Sequence, residues 1–116
     1  MKVRTKIWIN DEHNQVVFGA GRERMLETIQ RLGSMNKAAR ELKMSYRALW
    51  GRIKSTEERL GKKILFTCPG GGEKGGSALT PEGVDLLQAY KRLRKNVMRL
   101  ADQEFERVFG GTGDET

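Results

Sequence analysis

Ser34-Met-Asn-Lys-Ala-Ala-Arg-Glu-Leu42 and Ser45-Tyr-Arg-Ala-Leu-Trp-Gly-Arg-Ile53 are the two segments that decide the fold of this chain. Apolar side chains recur in both at steps of three and four, which is the period of an amphipathic helix. Each segment opens on a serine, whose hydroxyl oxygen can accept a hydrogen bond from the first helical turn. Only Lys43 and Met44 connect the two segments. We therefore predict a helix-turn-helix, whose second helix is shaped to enter a DNA major groove.

The positive charge of the chain is concentrated in the same region. The 116 residues carry a formal net charge of +7, and residues 21–63 hold 12 Lys and Arg against 5 Glu, the same excess. A localised basic surface is typical of a protein that binds a polyanion. Taken alone, the charge could also belong to the solvated surface of a basic protein. The helix-turn-helix pattern favours polyanion binding over this alternative.

Composition bears on several other classes of protein. An apolar fraction of 37% suffices for the core of one small domain,. No apolar run approaches the ~20 residues of a membrane span, and the N-terminus lacks a secretory signal, so we expect a cytoplasmic protein outside membranes. The single cysteine, Cys68, excludes an internal disulfide and a Cys-based zinc cage, while the single His13 weakens other metal sites,.

A β-hairpin and a helix are predicted before the helix-turn-helix. β-branched and aromatic residues at 6–9 and 15–18 bracket a polar loop of about five residues, which is typical of a hairpin,. We expect this hairpin either to cover the core or to pair with a second subunit. Gly19-Ala-Gly21 breaks the second strand, and a helix then runs over 22–32 until Gly33 stops it,.

A wing is predicted after the helix-turn-helix. Strand candidates at 63–67 and 77–79 flank a glycine-rich loop from Cys68 to Gly76. The glycines would let this loop follow a phosphate backbone or a minor groove, with Lys74 as its cationic tip. A disordered surface hairpin is the alternative.

A long helix is predicted to follow the wing. Thr80 caps it, Pro81 suits its first turn, and Glu82 lies near the positive end of its dipole,. If the helix runs to Phe109 it spans about 29 residues, or roughly 43 Å at ~1.5 Å per residue, more than a small core can bury. We therefore predict dimerisation along a two-stranded seam. The seam consists of Leu86, Tyr90, Leu93, Val97 and Leu100.

The predicted architecture is mainly α with small β. A winged helix-turn-helix domain with the N-terminal hairpin occupies 1–79, a dimerisation helix occupies 80–109, and 110–116 form a disordered tail.

One face of the second helix is predicted to read bases. If Leu49 and Ile53 point inward, a rotation of ~100° per residue decides which residues face outward. These are Arg47, Gly51 and Lys54. Arg47 then contacts either a guanine edge or a phosphate. Gly51 permits either close approach of DNA or tight packing on a neighbour, and Trp50 either stacks on the sugar-phosphate edge or packs against the wing. Cations of the first helix, Lys37 among them, are better placed for phosphates.

These motifs resemble the winged helix-turn-helix of LysR-type regulators and, more closely, the DNA-binding domain of ModE-type molybdate regulators. The resemblance rests on 34–40, on 44–50, on the glycine tract 70–76 and on 78–83, and it covers roughly residues 6–100. It implies a homodimer that binds operator DNA, with the helix after Ser45 as reader and the glycine loop as wing. Carried over, it assigns DNA contact to Ser45, Tyr46, Arg47, Trp50, Gly51 and Lys74. The residue patterns add Ser34, Lys37 and Lys54.

Molybdate sensing is not implied by the resemblance. ModE proteins sense molybdate through separate C-terminal domains, and none follows in this sequence. We expect constitutive action, a separate effector-sensing partner or another signal, and the sequence does not choose among these.

No motif predicts catalysis, a metal or a cofactor. The spacing of Gly70 to Gly75 matches a dinucleotide-binding loop, but no helix opens after it and no parallel βαβ unit surrounds it. Glu57 and Glu58 are predicted to be solvated, and Cys68 to be an incidental thiol rather than a redox sensor. We expect a regulator that binds double-stranded DNA and is not an enzyme. A winged-helix module for RNA or a protein partner is the alternative.

Overall fold

The computed structural model describes residues 1–67 and 76–110. A two-stranded hairpin and three helices come first: β1 Trp8–Asn10, β2 Val16–Gly19, α1 Ala20–Leu32, α2 Met35–Leu42 and α3 Tyr46–Leu60. A second hairpin and a long helix follow: β3 Leu65–Thr67, β4 Ser77–Leu79 and α4 Pro81–Phe105, which ends in a π-helical turn, Glu106–Gly110. Both sheets are antiparallel. The predicted fold, mainly helical with a winged helix-turn-helix, is confirmed.

Several predicted features lie outside the described residues. They are the glycine-rich loop from Cys68 to residue 75, with the wing tip Lys74, and residues 111–116 of the predicted tail. The strands that flank this loop are described, and Thr67 pairs with Ser77 at their open end. The backbone N–H of Ser77 donates to the carbonyl of Gly33 at 3.0 Å, which ties the wing to the end of α1.

The predicted helix caps are confirmed. The hydroxyl of Ser34 accepts from the backbone N–H of Lys37 at 3.2 Å, and that of Thr80 accepts from Gly83 at 3.0 Å. Between α2 and α3 the backbone of Lys43 turns left-handed, with φ 58°, and its N–H bonds back to the carbonyl of Arg40. This left-handed residue lets the chain turn within the short connection that the sequence predicted.

The ends of several elements differ from the prediction by a few residues. β1 was expected over 6–9 and occupies Trp8–Asn10, and α1 begins at Ala20 rather than at Arg22. The α-helical part of α4 ends at Phe105, and the remaining residues up to Gly110 form the wider π turn. Helix and strand ends depend on which backbone groups find partners, which periodicity alone does not determine.

The core lies between the hairpin, the three short helices and the first half of α4. Its fully buried large side chains include Phe18, Leu26, Ile29, Leu49, Ile53, Ile64, Leu87 and Tyr90. Ala38 on α2 is also buried, with none of its surface exposed. A methyl side chain at this position lets α2 approach its neighbours closely.

Tyr90 belongs to the core of the protomer rather than to an exposed seam. Only 1% of its surface is exposed, and its ring packs edge-on against Phe18 with centroids 5.1 Å apart. Its hydroxyl donates to the carbonyl of Ile7 at 2.7 Å. The predicted seam included Tyr90 because its spacing matches Leu86 and Leu93. The first turns of α4 instead pack on their own domain, so Tyr90 is not available to a second chain.

Glu57 was predicted to be solvated, and this prediction is wrong. Its carboxylate is buried against the start of the wing, where it accepts the backbone N–H groups of Ile64 at 2.8 Å and Leu65 at 3.2 Å. Lys54 supplies a counter-ion at 3.2 Å. Glu57 therefore fastens the wing to α3, while the neighbouring Glu58 is exposed.

Two ion pairs join α4 to α1. Arg94 donates two hydrogen bonds to the carboxylate of Glu23, at 3.1 and 2.9 Å, and Lys91 contacts Glu27 at 2.8 Å. The hydrogen bonds that Arg94 donates to Glu23 raise the pKa of the Arg94 guanidinium above its usual value. Bidentate pairs of this kind fix orientation as well as distance. The direction in which α4 leaves the domain is therefore set within one protomer.

Candidate nucleic-acid interface

Helix α3 presents an open face to solvent. Leu49 and Ile53 are 0% and 1% exposed, and their burial fixes the rotation of the helix so that Arg47 and Gly51 point outward. A Cβ built on Gly51 would meet no atom within 4 Å in the described residues. The glycine therefore does not serve close packing on a neighbour there. Close approach of an outside molecule is the hypothesis that remains for it.

The exposed face continues to the N-terminal end of α3. The hydroxyl of Ser45 accepts from the backbone N–H of Ala48 at 3.0 Å, so this side chain caps the helix. Tyr46 is 46% exposed and Arg47 is exposed. Within residues 1–67 and 76–110, the guanidinium of Arg47 has no ion-pair partner. Helix N-termini favour anions, and this one carries an exposed cation, Arg47, in its first turn,.

Trp50 and Lys54 form one unit on the flank of this face. Trp50 is half-buried and packs against the core, and the ammonium of Lys54 lies 4.6 Å from its ring centroid. The same ammonium contacts Glu57 at 3.2 Å. Its charge is thus partly balanced within the protein, which makes Lys54 a weaker candidate for DNA contact than Arg47.

Helix α2 presents its cations to solvent beside α3. Ser34 is half-buried and caps the helix, whereas Lys37, Arg40 and Lys43 are all exposed. None of these three takes part in an ion pair in the part of the chain that the structure describes. The structure therefore brings the predicted backbone-contacting cations and the predicted reading face onto adjoining helices of one motif.

A group of arginines that the sequence analysis did not single out lies on the other flank of α3. Arg22 at the start of α1 donates from Nη2 to the hydroxyl of Ser55 at 3.0 Å. Burial, followed by the charges of Arg52 and Arg59, lowers the pKa of the Arg22 guanidinium. The spacing of Arg52 and Arg59 within one helix gave a hint of this cluster. The approach of Arg22 depends on tertiary packing and gave no local signal.

The remaining residues of the predicted dimer seam differ in exposure. Leu86 is half-buried and packs against the core, and Val97 is half-exposed. Leu93 is 41% exposed and Leu100 is 56% exposed. The apolar stripe of α4 is therefore open to solvent from Leu93 onward.

Residues 22–84, more than half of the chain, match the family described as bacterial regulatory helix-turn-helix protein, lysR family. The chain belongs to this LysR family. It is a family of regulators, in agreement with the prediction that the chain is not an enzyme.

The chain is also similar to curated proteins whose names concern molybdenum or ModE. The chain is 38% identical over 83 residues to the molybdenum-pterin-binding protein MopB of Rhodobacter capsulatus, which covers 72% of this chain and 31% of MopB. It is 34% identical over 92 residues to the transcriptional regulator ModE of Haemophilus influenzae, which covers 78% of this chain and 36% of ModE. The chain thus spans about a third of the length of these relatives. The predicted resemblance to the ModE type is confirmed.

Solved structures of LysR-type regulators share the fold. A BenM DBD in complex with benA site 1 DNA matches with a TM-score of 0.55 and 25% identity, covering 80% of this chain and 99% of that one. The CbnR DBD–DNA complex also gives 0.55, at 20% identity, over 76% of this chain and 95% of that one. The latter likeness concerns the fold alone.

Among residues 1–67 and 76–110, no cluster of three His, Cys, Asp or Glu side chains is arranged to hold a metal ion. No helix in these ranges combines the length and the apolar character needed to cross a membrane.

Proposed function

We propose that this protein is a transcriptional regulator that binds double-stranded DNA in a sequence-specific manner as a homodimer. The observation that carries the proposal is the exposed face of α3, where Arg47 is exposed beside the open surface at Gly51. A recognition helix contacts base edges with its N-terminal residues, and arginine is suited to the two acceptors of guanine. In this proposal α3 enters the major groove and Arg47 contacts a base.

The adjoining surface supplies the contacts that position the duplex. Lys37 at the start of α2 is exposed, and the whole region carries the excess positive charge of the chain. Contacts with phosphates fix the register of a protein on DNA without reading sequence. The BenM structure that this chain resembles is a complex with DNA, which supports the same class of partner for this chain.

The homodimer is supported by the far half of α4. Leu93 and Leu100 remain exposed on the apolar stripe after the first turns have packed on the domain. A second copy of the chain would bury them along a two-stranded seam. We accordingly propose residues 1–79 as the DNA-binding domain and 80–109 as the dimerisation helix, although Leu87 and Tyr90 of that helix also complete the core.

A separate part of the proposal concerns how an effector controls DNA binding. The similarity to MopB and ModE covers about a third of those proteins. We propose that any effector is sensed outside the matched region, for example by a separate sensing partner. The protein acts in the cytoplasm in this proposal, because the operator DNA lies there.

A competition experiment tests this function. We would select binding sites from a random duplex library and measure the affinity of the best site against random duplex and single-stranded RNA at several salt concentrations. We expect preference for one duplex sequence and a logarithm of affinity that falls with the logarithm of salt by ~0.9 per phosphate contacted. Equal affinity for RNA, or affinity that does not change with salt, would contradict the proposal.

A further inference from the structure

A groove lies beside the reading face, between the N-terminal segment, the start of α1 and the flank of α3. Its volume is about 340 Å³. The charged and aromatic residues in its lining are Lys6, Trp8, Arg22 and Arg52. Trp8 is 54% exposed and supplies an apolar wall. Three cations and one aromatic ring thus lie beside the apolar side chains of Ile7, Val16 and Met25 around a space that the predicted DNA contacts do not use.

The guanidiniums of this groove have no counter-charge among the residues that the structure describes. Arg22 and Arg52 take part in none of the ion pairs found in residues 1–67 and 76–110. The Nε atom of Arg22 is buried and makes no hydrogen bond there. Burial, followed by the nearby charges of Arg52 and Arg59, disfavours the charged form of Arg22 and lowers its pKa. Grouped like charges destabilise a free protein, and an anion that binds among them removes the repulsion.

The groove is continuous with the face of α3 that is proposed to read bases. Arg52 follows directly after Gly51 in the helix, on the side that faces α1. Nη2 of Arg22 reaches the hydroxyl of Ser55, one turn further along α3, at 3.0 Å. A duplex seated on the open surface at Gly51 would therefore run its flanking backbone past these two guanidiniums.

We infer that this groove binds the sugar-phosphate backbone of the DNA that flanks the sequence read by α3. Arg22 and Arg52 donate to phosphate oxygens, because a guanidinium presents paired donors that match a phosphate. Lys6 adds a third charge, and Trp8 packs against the deoxyribose. The inference rests on the proposed function and extends the contact surface from the helix-turn-helix to the N-terminal hairpin.

The test compares Arg52→Gln with Arg24→Gln on two duplexes. Arg24 is exposed on α1 on the side opposite Arg22, so its substitution removes the same charge away from the groove. One duplex carries the selected site with long flanks, and the other is trimmed to the sequence read by α3. We expect the wild type and Arg24→Gln to prefer the long duplex. Arg52→Gln should lose about tenfold in affinity on the long duplex and little on the trimmed one, since charged hydrogen bonds have about that strength.

Thermal unfolding without DNA gives a second readout. Removal of one of several repelling charges should leave Arg52→Gln at least as stable as the wild type, even though it binds DNA less tightly. A residue with a merely structural role would lose stability and affinity together. A clear loss of stability in Arg52→Gln would therefore overturn the inference.

The remaining outcomes separate this inference from the proposed function. If the wild type binds no duplex, both fail. If it binds duplex DNA and Arg52→Gln keeps the preference for long flanks, only the groove assignment fails. Titration with inorganic phosphate in the absence of DNA provides the last arm. Saturable binding that Arg52→Gln abolishes, without any effect of flank length, would make the groove a site for a small anion instead.

Discussion

Arg47 stands exposed in the first turn of α3 with no ion pair inside the described residues. We predict that Arg47→Ala weakens binding to the selected site by ~1–3 kcal/mol and relaxes preference at one base position. Lys37→Ala, expected to remove a phosphate contact, should weaken all sequences alike and reduce the salt slope by about one. Site selection from a random pool with both variants distinguishes these effects. A selected motif that Arg47→Ala leaves unchanged would make Arg47 a phosphate contact.

Substitution of Gly51 by alanine should change the stability of the protein and its affinity for DNA in opposite directions. Because a Cβ at this position meets no neighbour, Gly51→Ala should stabilise α3 by about 0.5–1 kcal/mol, the usual difference between these residues inside a helix,. The added methyl group should at the same time keep the DNA from the helix surface and weaken duplex binding. Chemical denaturation and anisotropy titration measure the two effects. Unchanged affinity would remove close approach as the reason for this glycine.

Glu57 and Tyr90 show where prediction from single residues fails. Both were assigned by position along their own helix, and both owe their environment to distant segments. Glu57 is buried because the chain reverses at Gly61 and directs two amides at its carboxylate. The partner of the Tyr90 hydroxyl is 83 residues away in sequence. The outward positions of Arg47 and Gly51 could be predicted, since they follow from helical rotation alone.

At the scale of the elements, the wing and α4 meet at a very close contact. A Cβ on Gly83, in the first turn of α4, would overlap the carbonyl oxygen of Ile64 just before β3. We predict that Gly83→Ala lowers the free energy of unfolding by ~1–3 kcal/mol, because the overlap outweighs the better helix propensity of alanine. Gly21→Ala is the matched control, since this first-turn position of α1 is open. Equal stability of the two variants in denaturant titration would contradict the close contact.

The elements themselves were largely predictable from the sequence, for a local reason. Caps such as Ser34 and Thr80 act on amides three residues away, and apolar periodicity reports the buried face of each helix,. The ends of elements were less predictable because they depend on turns. The loop after β1, for example, is set by the carboxylate of Asp11, which accepts from the N–H groups of His13 and Gln15.

At the scale of the whole molecule, α4 makes the protein elongated, with extents of 66 × 30 × 23 Å. We predict that the dimer forms along its far half and that Leu93→Asp, which places a charge on the apolar stripe, yields monomers. Gln88→Asp adds the same charge at an exposed position on the opposite side of α4 and should remain dimeric,. Sedimentation equilibrium at tens of micromolar protein distinguishes the two states. A wild-type monomer under these conditions would exclude the seam.

The ion pairs of Glu23 with Arg94 and of Glu27 with Lys91 have a consequence for the layout of an operator. They hold α4 in a fixed orientation on α1. In a dimer joined through α4, the distance between the two α3 helices would therefore be fixed as well. Half-sites one turn of DNA apart lie ~34 Å from each other. Arg94→Ala removes one of these ion pairs and should leave recognition of each half-site unchanged. Base pairs inserted between the half-sites should then reduce the affinity of the variant less than that of the wild type.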